Sequence, residues 1–153
     1  IFYCLDRNII HIYNSIKSYY KEATMKQQRY SRQRQLILNA VMKRCDHPTA
    51  DQIYLEVRTA DDKISRGTVY RNLGILSQNN KITNVKTPAA DRYDSRLDRH
   101  YHLFCVNCGK VADAPLIYRD EYDELMEKST GFRISRHRTV FEGLCAECNK
   151  NEK

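Results

Sequence analysis

Cys105-Val106-Asn107-Cys108 and Cys145-Ala146-Glu147-Cys148 set four thiols into two Cys-x-x-Cys pairs. Each pair rides on one tight turn and supplies half a tetrahedron, so together they describe a tetrathiolate zinc site. Gly109 and Lys110 follow the first pair. A glycine there permits a left-handed turn that aims backbone N–H groups at thiolate sulfurs. A thioredoxin-type redox pair needs one motif at a strand-to-helix junction and is the weaker reading. Gly109 to Leu144 is longer than a zinc-ribbon spacer, so the metal is expected to clamp a whole subdomain. Four thiolates leave zinc no open position, and no nucleophile elbow or phosphate loop is present, which disfavours a metal-dependent hydrolase.

The histidines point to a second kind of chemistry. Of five in the chain, His100 and His102 are two apart, a spacing that puts both rings on one face of a strand. Asp94 and Asp113 are expected on adjoining strand segments, and His47 at the mouth of a helix. Three imidazoles and two carboxylates, with no sulfur, suit Fe(II) or Mn(II) better than a structural zinc. Such a site would tie the two halves of the chain together, and its occupancy would set their angle. Cys4 and Cys45 have no partner motif and read as ordinary thiols.

The elements needed to position these groups are legible in outline. Ser31 is expected to cap a helix running to about Arg44, with Leu36, Ile37, Ala40 and Val41 inward. Thr49 caps a second helix, Ala50 to Arg58, that buries Ile53, Tyr54 and Val57. Ser65 caps a third, ending near Asn79. Lys81 to Lys86 and Asp91 to Asp94 then read as a β-hairpin. Three helices followed by a hairpin make a winged helix-turn-helix. The remainder reads as strand (His100 to Cys105), knuckle, strand (Lys110 to Asp113), helix (about Tyr118 to Ser129), strand (Phe132 to Glu142) and second knuckle. A helix on a small antiparallel sheet is an α+β module. It is small enough that zinc and a partner subunit would both help cover its apolar face. The divisions expected are 1–24, an extension; 25–94, the winged helix; and 95–153, a dimerisation and metal-binding domain.

Charge supports that division. Residues 25–88 carry twelve Lys+Arg against five Asp+Glu, whereas 89–153 carry eleven against twelve. The excess positive charge thus falls in the helical segment, as a polyanion-binding module requires; a merely solvated basic surface is the bland alternative. In a helix-turn-helix the second helix of the pair enters the major groove. Here it opens Ser65-Arg66-Gly67-Thr68-Val69-Tyr70-Arg71. Val69 and Leu73 can face inward, leaving Arg66, Thr68, Tyr70 and Arg71 outward. Arginine can bond guanine twice and an aromatic ring can press on a thymine methyl. Gly67 is expected to allow close backbone approach. Arg29, Arg32 and Arg34 suit phosphates, which position without reading sequence.

Residues 1–24 are rich in Ile, Tyr and Asn, and Met25 looks like a natural start. Ile9, Ile12/Tyr13, Ile16 and Tyr19/Tyr20 recur at helical spacing. The segment reads either as a native extension or as translated upstream sequence. It lacks the basic head and apolar run of a signal peptide, and no stretch is long enough to span a membrane. With four cysteines in metal-ligand spacing, a reducing cytosol is expected.

As a set, His47-Pro48-Thr49-Ala50, Ser65 to Leu73, His100-Tyr101-His102, Cys105 to Lys110 and Cys145 to Cys148 resemble the ferric uptake regulator family of metal-responsive repressors. The resemblance covers about Arg29 to Lys150. It implies a homodimer on a near-palindromic DNA operator, and per subunit one zinc on Cys105, Cys108, Cys145 and Cys148. It also implies one regulatory Fe(II) or Mn(II) on His47, Asp94, His100, His102 and Asp113. Asp113 stands where iron sensors of the family usually carry Glu, so the chain looks most like the peroxide-sensing branch, with His47 and His100 the rings open to oxidation. Reversible sensing of iron or manganese is the alternative, with zinc disfavoured by the lack of a further cysteine. Of a second metal site found in many iron sensors, Asp120 and His137 remain, but Arg99 and Tyr101 occupy places where His and Asp would bind. If Met25 is the start, the family's helix before Ser31 is absent or replaced by residues 1–24.

Overall fold

In the computed structural model the backbone is described for residues 7–150, and side chains for 17–150 apart from Ala23. Cys4 and the Ile9 to Ile16 side chains lie outside the described residues. The first helix, α1, runs unbroken from Arg7 to Met42. Ser31 is therefore not a cap, contrary to the expectation from sequence. No glycine or proline interrupts the stretch from Ser18 to Arg44, and its Lys, Arg and Gln residues are good helix formers, so one interior serine costs little. At 1.5 Å per residue the helix is roughly 54 Å long, and among its described side chains those buried in the core lie in its last third.

That core gathers Ile37, Ala40 and Val41 of α1 against α2 (Ala50–Arg58) and α3 (Arg66–Gln78). Ile53 and Val57 of α2, with Val69 and Leu73 of α3, are at most 1 % exposed. Each such side chain stabilises the fold by about 1.5–3 kcal/mol through burial. The other two cap predictions hold. Thr49 and Gln52 form a reciprocal capping box on α2, and Ser65 accepts from the Thr68 N–H on α3. Buried polar ties finish the packing. Gln33 donates to Asp61 at 2.9 Å, and Arg34 to Asn72 at 3.0 Å. Gly67 has open space where a Cβ would sit, with nothing nearer than 4.0 Å, so no backbone approaches it closely.

The wing is β1 (Thr83–Val85) paired antiparallel with β2 (Arg92–Asp94). β3 (His102–Cys105) then pairs antiparallel with β4 (Val111–Asp113), α4 spans Glu121–Thr130, and β5 (Val140–Gly143) lies along the other side of β3. The short α5 (Ala146–Lys150) ends the described chain. β5 runs parallel to β3, so the sheet is mixed and not antiparallel. β4 has already reversed the chain, and the α4 segment leaves and re-enters the sheet at one end, with Asp113 and Val140 both opposite His102, so β5 repeats the direction of β3. The expected strand from Phe132 shrinks to its last few residues because side chains satisfy the backbone before them. Glu127 accepts from Ile134 N–H, Arg99 donates to the Ser135 carbonyl, and Tyr118 accepts from His137 N–H. The architecture is α+β, a winged helix followed by a small sheet domain. No helix among the described residues is long and apolar enough to cross a membrane.

Candidate metal centres and reading helix

His47 comes from the turn between α1 and α2 and adopts a left-handed backbone, φ 51°. That conformation is uncommon for a residue with a Cβ, and two contacts hold it. The Tyr93 N–H bonds the Pro48 carbonyl at 3.0 Å, and the Arg92 guanidinium donates to the His47 carbonyl at 3.4 Å. The ring is thereby aimed across the molecule at β3 and β4.

There it meets Asp94, His100, His102 and Asp113, with one donor atom from each of the five within 4.8 Å of every other. Asp94 ends the wing strand β2, whereas Asp113 ends β4 of the other sheet, so they are not on adjoining strands as expected. His100 lies just before β3, and His102 opens it. Asp98 accepts a bond from His100 Nδ1 through its carbonyl at 2.9 Å, which turns Nε2 of that ring inward.

The inward atoms are His47 Nε2, Asp94 Oδ2, His100 Nε2, His102 Nε2 and Asp113 Oδ1. All five are buried, and none has a hydrogen-bond partner. Two pairs come close, His47 to Asp113 at 2.9 Å and His100 to Asp94 at 3.0 Å, but off the line of a hydrogen bond. Each such orphan costs about 1–3 kcal/mol. Five converging on one point fit a cation at their centre. Burial works against charge on His47, but Asp94 and Asp113 outweigh it and raise its pKa. Asp94 is likewise buried, yet the His102 and His47 rings and the Arg96 N–H hold its carboxyl well below the usual range. The Asp94 carboxylate thus stands ionised and ready for a cation.

The four cysteines form the second cluster, their sulfurs also within 4.8 Å of one another. Gly109 takes φ +70°, and its N–H bonds the Cys105 carbonyl at 2.9 Å, the left-handed turn expected after the first pair. The backbone N–H groups of Cys108, Cys145 and Asn107 bring the Cys105 thiol down to about 6. Cys148 is pushed up to about 12, because its bond to Asn107 is outweighed by Cys145, burial and the other two thiols. Four sulfurs cannot all ionise side by side without a cation, and a tetrahedral Zn(II) fits that need. Cys45 is a free, exposed thiol.

Asp120 and His137 do not form a third group. Asp120 pairs with Arg99 at 2.7 Å, while His137 bonds Asp123 at 2.7 Å and the Tyr101 hydroxyl at 3.0 Å. Among the described residues only the two clusters above bring three or more His, Cys, Asp or Glu donors together.

On α3, Val69 and Leu73 are fully buried, and Tyr70 is 51 % exposed. Arg71 is exposed and lies over the Tyr30 ring, 5.2 Å from its centroid. Arg66 is exposed but engaged, bonding Asp51 at 3.0 Å, and Thr68 bonds the capping Ser65 hydroxyl. Arg32 is exposed on α1. Sequence reasoning missed Arg92 and Arg96. The only signal was their place beside Asp94, and an arginine in so basic a chain reads as surface charge.

A ferric uptake regulator family model matches residues 25–142. The chain is 36 % identical over 125 residues to the peroxide operon regulator of Bacillus subtilis, covering 81 % of this chain and 86 % of that protein. It is 32 % identical over 123 residues to the peroxide-responsive repressor PerR of Staphylococcus epidermidis, covering 80 % and 82 %. The Campylobacter jejuni peroxide stress regulator superposes with a TM-score of 0.69 at 27 % identity, covering 84 % of this chain and 98 % of that one.

Proposed function

Because the chain belongs to the ferric uptake regulator family, we propose that it is a metal-dependent DNA-binding repressor that senses peroxide through a ligand histidine. The observation that carries this is the ring of five orphaned donor atoms, two from the winged helix and three from the sheet domain. A cation drawn to all five favours the arrangement in which head and sheet are joined. The shift is as large as the cation's preference for that arrangement over the separated one.

Two copies, joined through their sheet domains and each held by zinc on Cys105, Cys108, Cys145 and Cys148, would set two α3 helices in successive major grooves of a near-palindromic site. Exposed apolar side chains around β3, β5 and α4, among them Leu103, Phe141, Ile117 and Tyr122, support that contact. Tyr70 and Arg71 read base edges, with Arg66 and Thr68 beside them, and Arg32 binds phosphate. The compartment that suits thiolates and Fe(II) is the reducing cytoplasm. The names of the relatives favour peroxide as the signal. Fe(II) held by His47, Asp94, His100, His102 and Asp113 would activate peroxide beside the ligand rings, one peroxide oxygen entering a ring carbon as the ring loses two electrons and the other leaving as water. His47 or His100, converted to 2-oxo-histidine, leaves the donor set and the head is released. Mn(II) holds the same shape without that chemistry.

The test is DNA affinity with Mn(II) or Fe(II), before and after dilute peroxide, followed by mass spectrometry of the His47 and His100 peptides. Iron-loaded protein should gain one oxygen on one of these residues and lose DNA binding, and manganese-loaded protein should do neither. Loss of binding with both histidines unmodified, or disulfides at Cys105 and Cys108 appearing first, would replace this reading with a thiol switch or plain metal sensing.

A further inference from the structure

Both carboxylates of the five-donor cluster turn one oxygen inward and keep the other occupied, and a single residue occupies both. The Arg96 backbone N–H donates to Asp94 Oδ1 at 2.9 Å, leaving Oδ2 to face the cluster. The Arg96 guanidinium donates to Asp113 Oδ2 at 2.5 Å, leaving Oδ1 to face the cluster. The guanidinium is itself held from behind, because its Nε and Nη2 both bond the Asp98 carboxylate. Arg96 lies in the segment joining β2 to β3, between the two sheets that supply the ligands.

A carboxylate can give a cation one oxygen or two. Its second oxygen is withheld most firmly by a charge-assisted bond, and an arginine fork held on both sides is a well-fixed donor. We propose that Arg96 is a positioning residue that fixes Asp94 and Asp113 as one-oxygen donors, and so limits the protein to five donor atoms. This rests on reading the cluster as a metal site. Three imidazole nitrogens and two carboxylate oxygens leave a six-coordinate metal such as Fe(II) or Mn(II) one position that the protein does not fill. A small molecule can take that position. Without Arg96, Asp113 is free to turn its second oxygen inward and close it.

Cobalt(II) reads this directly, because its d–d bands are strong in five-coordinate sites lacking an inversion centre and weak in six-coordinate ones. Zinc-loaded full-length protein is titrated with Co(II), and any displacement of zinc shows as thiolate charge-transfer absorption. With five protein donors and the sixth position left open, the parent should show intense d–d bands, and weak bands in the parent overturn the five-donor site. Arg96→Ala should bind one Co(II) with a several-fold weaker d–d spectrum, and Arg96→Lys should recover most of the intensity. The Arg96 side chain is 46 % exposed, so its loss leaves the core intact, and zinc content with circular dichroism verifies the fold. A parent that takes up no Co(II) beyond its zinc overturns the metal reading itself. A parent that binds Co(II), with an Arg96→Ala spectrum overlying its own or an Arg96→Lys spectrum no stronger than that of Ala, overturns the role of Arg96 alone.

Discussion

Asp113 shows how little chain separates one chemistry from another. Its short side chain reaches the cluster with Oδ1 while Oδ2 rests on Arg96. Asp113→Glu adds one methylene, which pushes the carboxylate past this fork. The variant should keep metal-dependent DNA binding and lose most histidine oxidation, measured as the oxidised fraction of the His47 and His100 peptides after a fixed peroxide dose. Oxidation at the parental level would show that the length of this side chain is irrelevant. The ligands were legible in the sequence because histidines are scarce and the spacing of His100 and His102 is informative. Their positioning partners were not. Arg92 and Arg96 act on carbonyl and carboxylate oxygens that only the folded turn brings within reach.

At the scale of elements, α3 shows two kinds of polar residue. Tyr70 and Arg71 sit on its exposed face, whereas Arg66 is spent on Asp51. Tyr70→Ala or Arg71→Ala should cost about 1–3 kcal/mol in operator affinity and flatten preference among operator variants. Arg32→Ala on α1 should weaken all sequences alike and reduce the salt slope by about one. Undiminished discrimination by the Tyr70 and Arg71 variants in a binding assay would mean that another face reads the bases.

The tie between α1 and the loop after α2 is pH-sensitive. Gln33, donating to Asp61, is the main cause that lowers the Asp61 carboxyl below its ordinary 3.8, assisted by the Lys63 N–H, Arg29 and Arg32 against a desolvation cost. A depressed pKa contributes stability that is full above the unfolded value and is lost as pH falls through the folded one. Asp61→Asn should therefore lower stability near neutrality, and the gap to the parent should shrink as pH falls below the ordinary carboxylate range, in denaturant melts from neutral to acid pH. Helix caps at Thr49 and Ser65 could be read from sequence because capping is local. The continuity of α1 could not, since Ser31 is as acceptable inside a helix as before one. Nor could the direction of β5, which depends on the end of the sheet at which the α4 segment returns the chain.

Across the whole molecule, the four-cysteine cluster fastens β3 and the β4 turn to the chain after β5. Cys105→Ser should lose zinc and much of the dimer, since zinc–thiolate sites contribute on the order of 10 kcal/mol to folding. Metal analysis with sedimentation gives the outcome, and a folded, zinc-free parental dimer after mild chelation would remove zinc from the account.

Arg92 joins the two clusters through one side chain. Its Nη1 donates to the His47 carbonyl at 3.4 Å and its Nη2 to the Gly109 carbonyl at 2.5 Å, on the turn that carries Cys105 and Cys108. A strut of this kind would make ions bound at the two clusters partners in one equilibrium. Whatever factor zinc adds to Mn(II) affinity, Mn(II) must return to zinc affinity, because coupling free energy has no direction. With a favourable coupling, a competing chelator at equilibrium should take less zinc from manganese-loaded protein than from protein without manganese. Arg92→Ala should shrink that difference while leaving both sets of ligands in place. The cell's supply of manganese would then bear on how firmly each subunit holds its zinc.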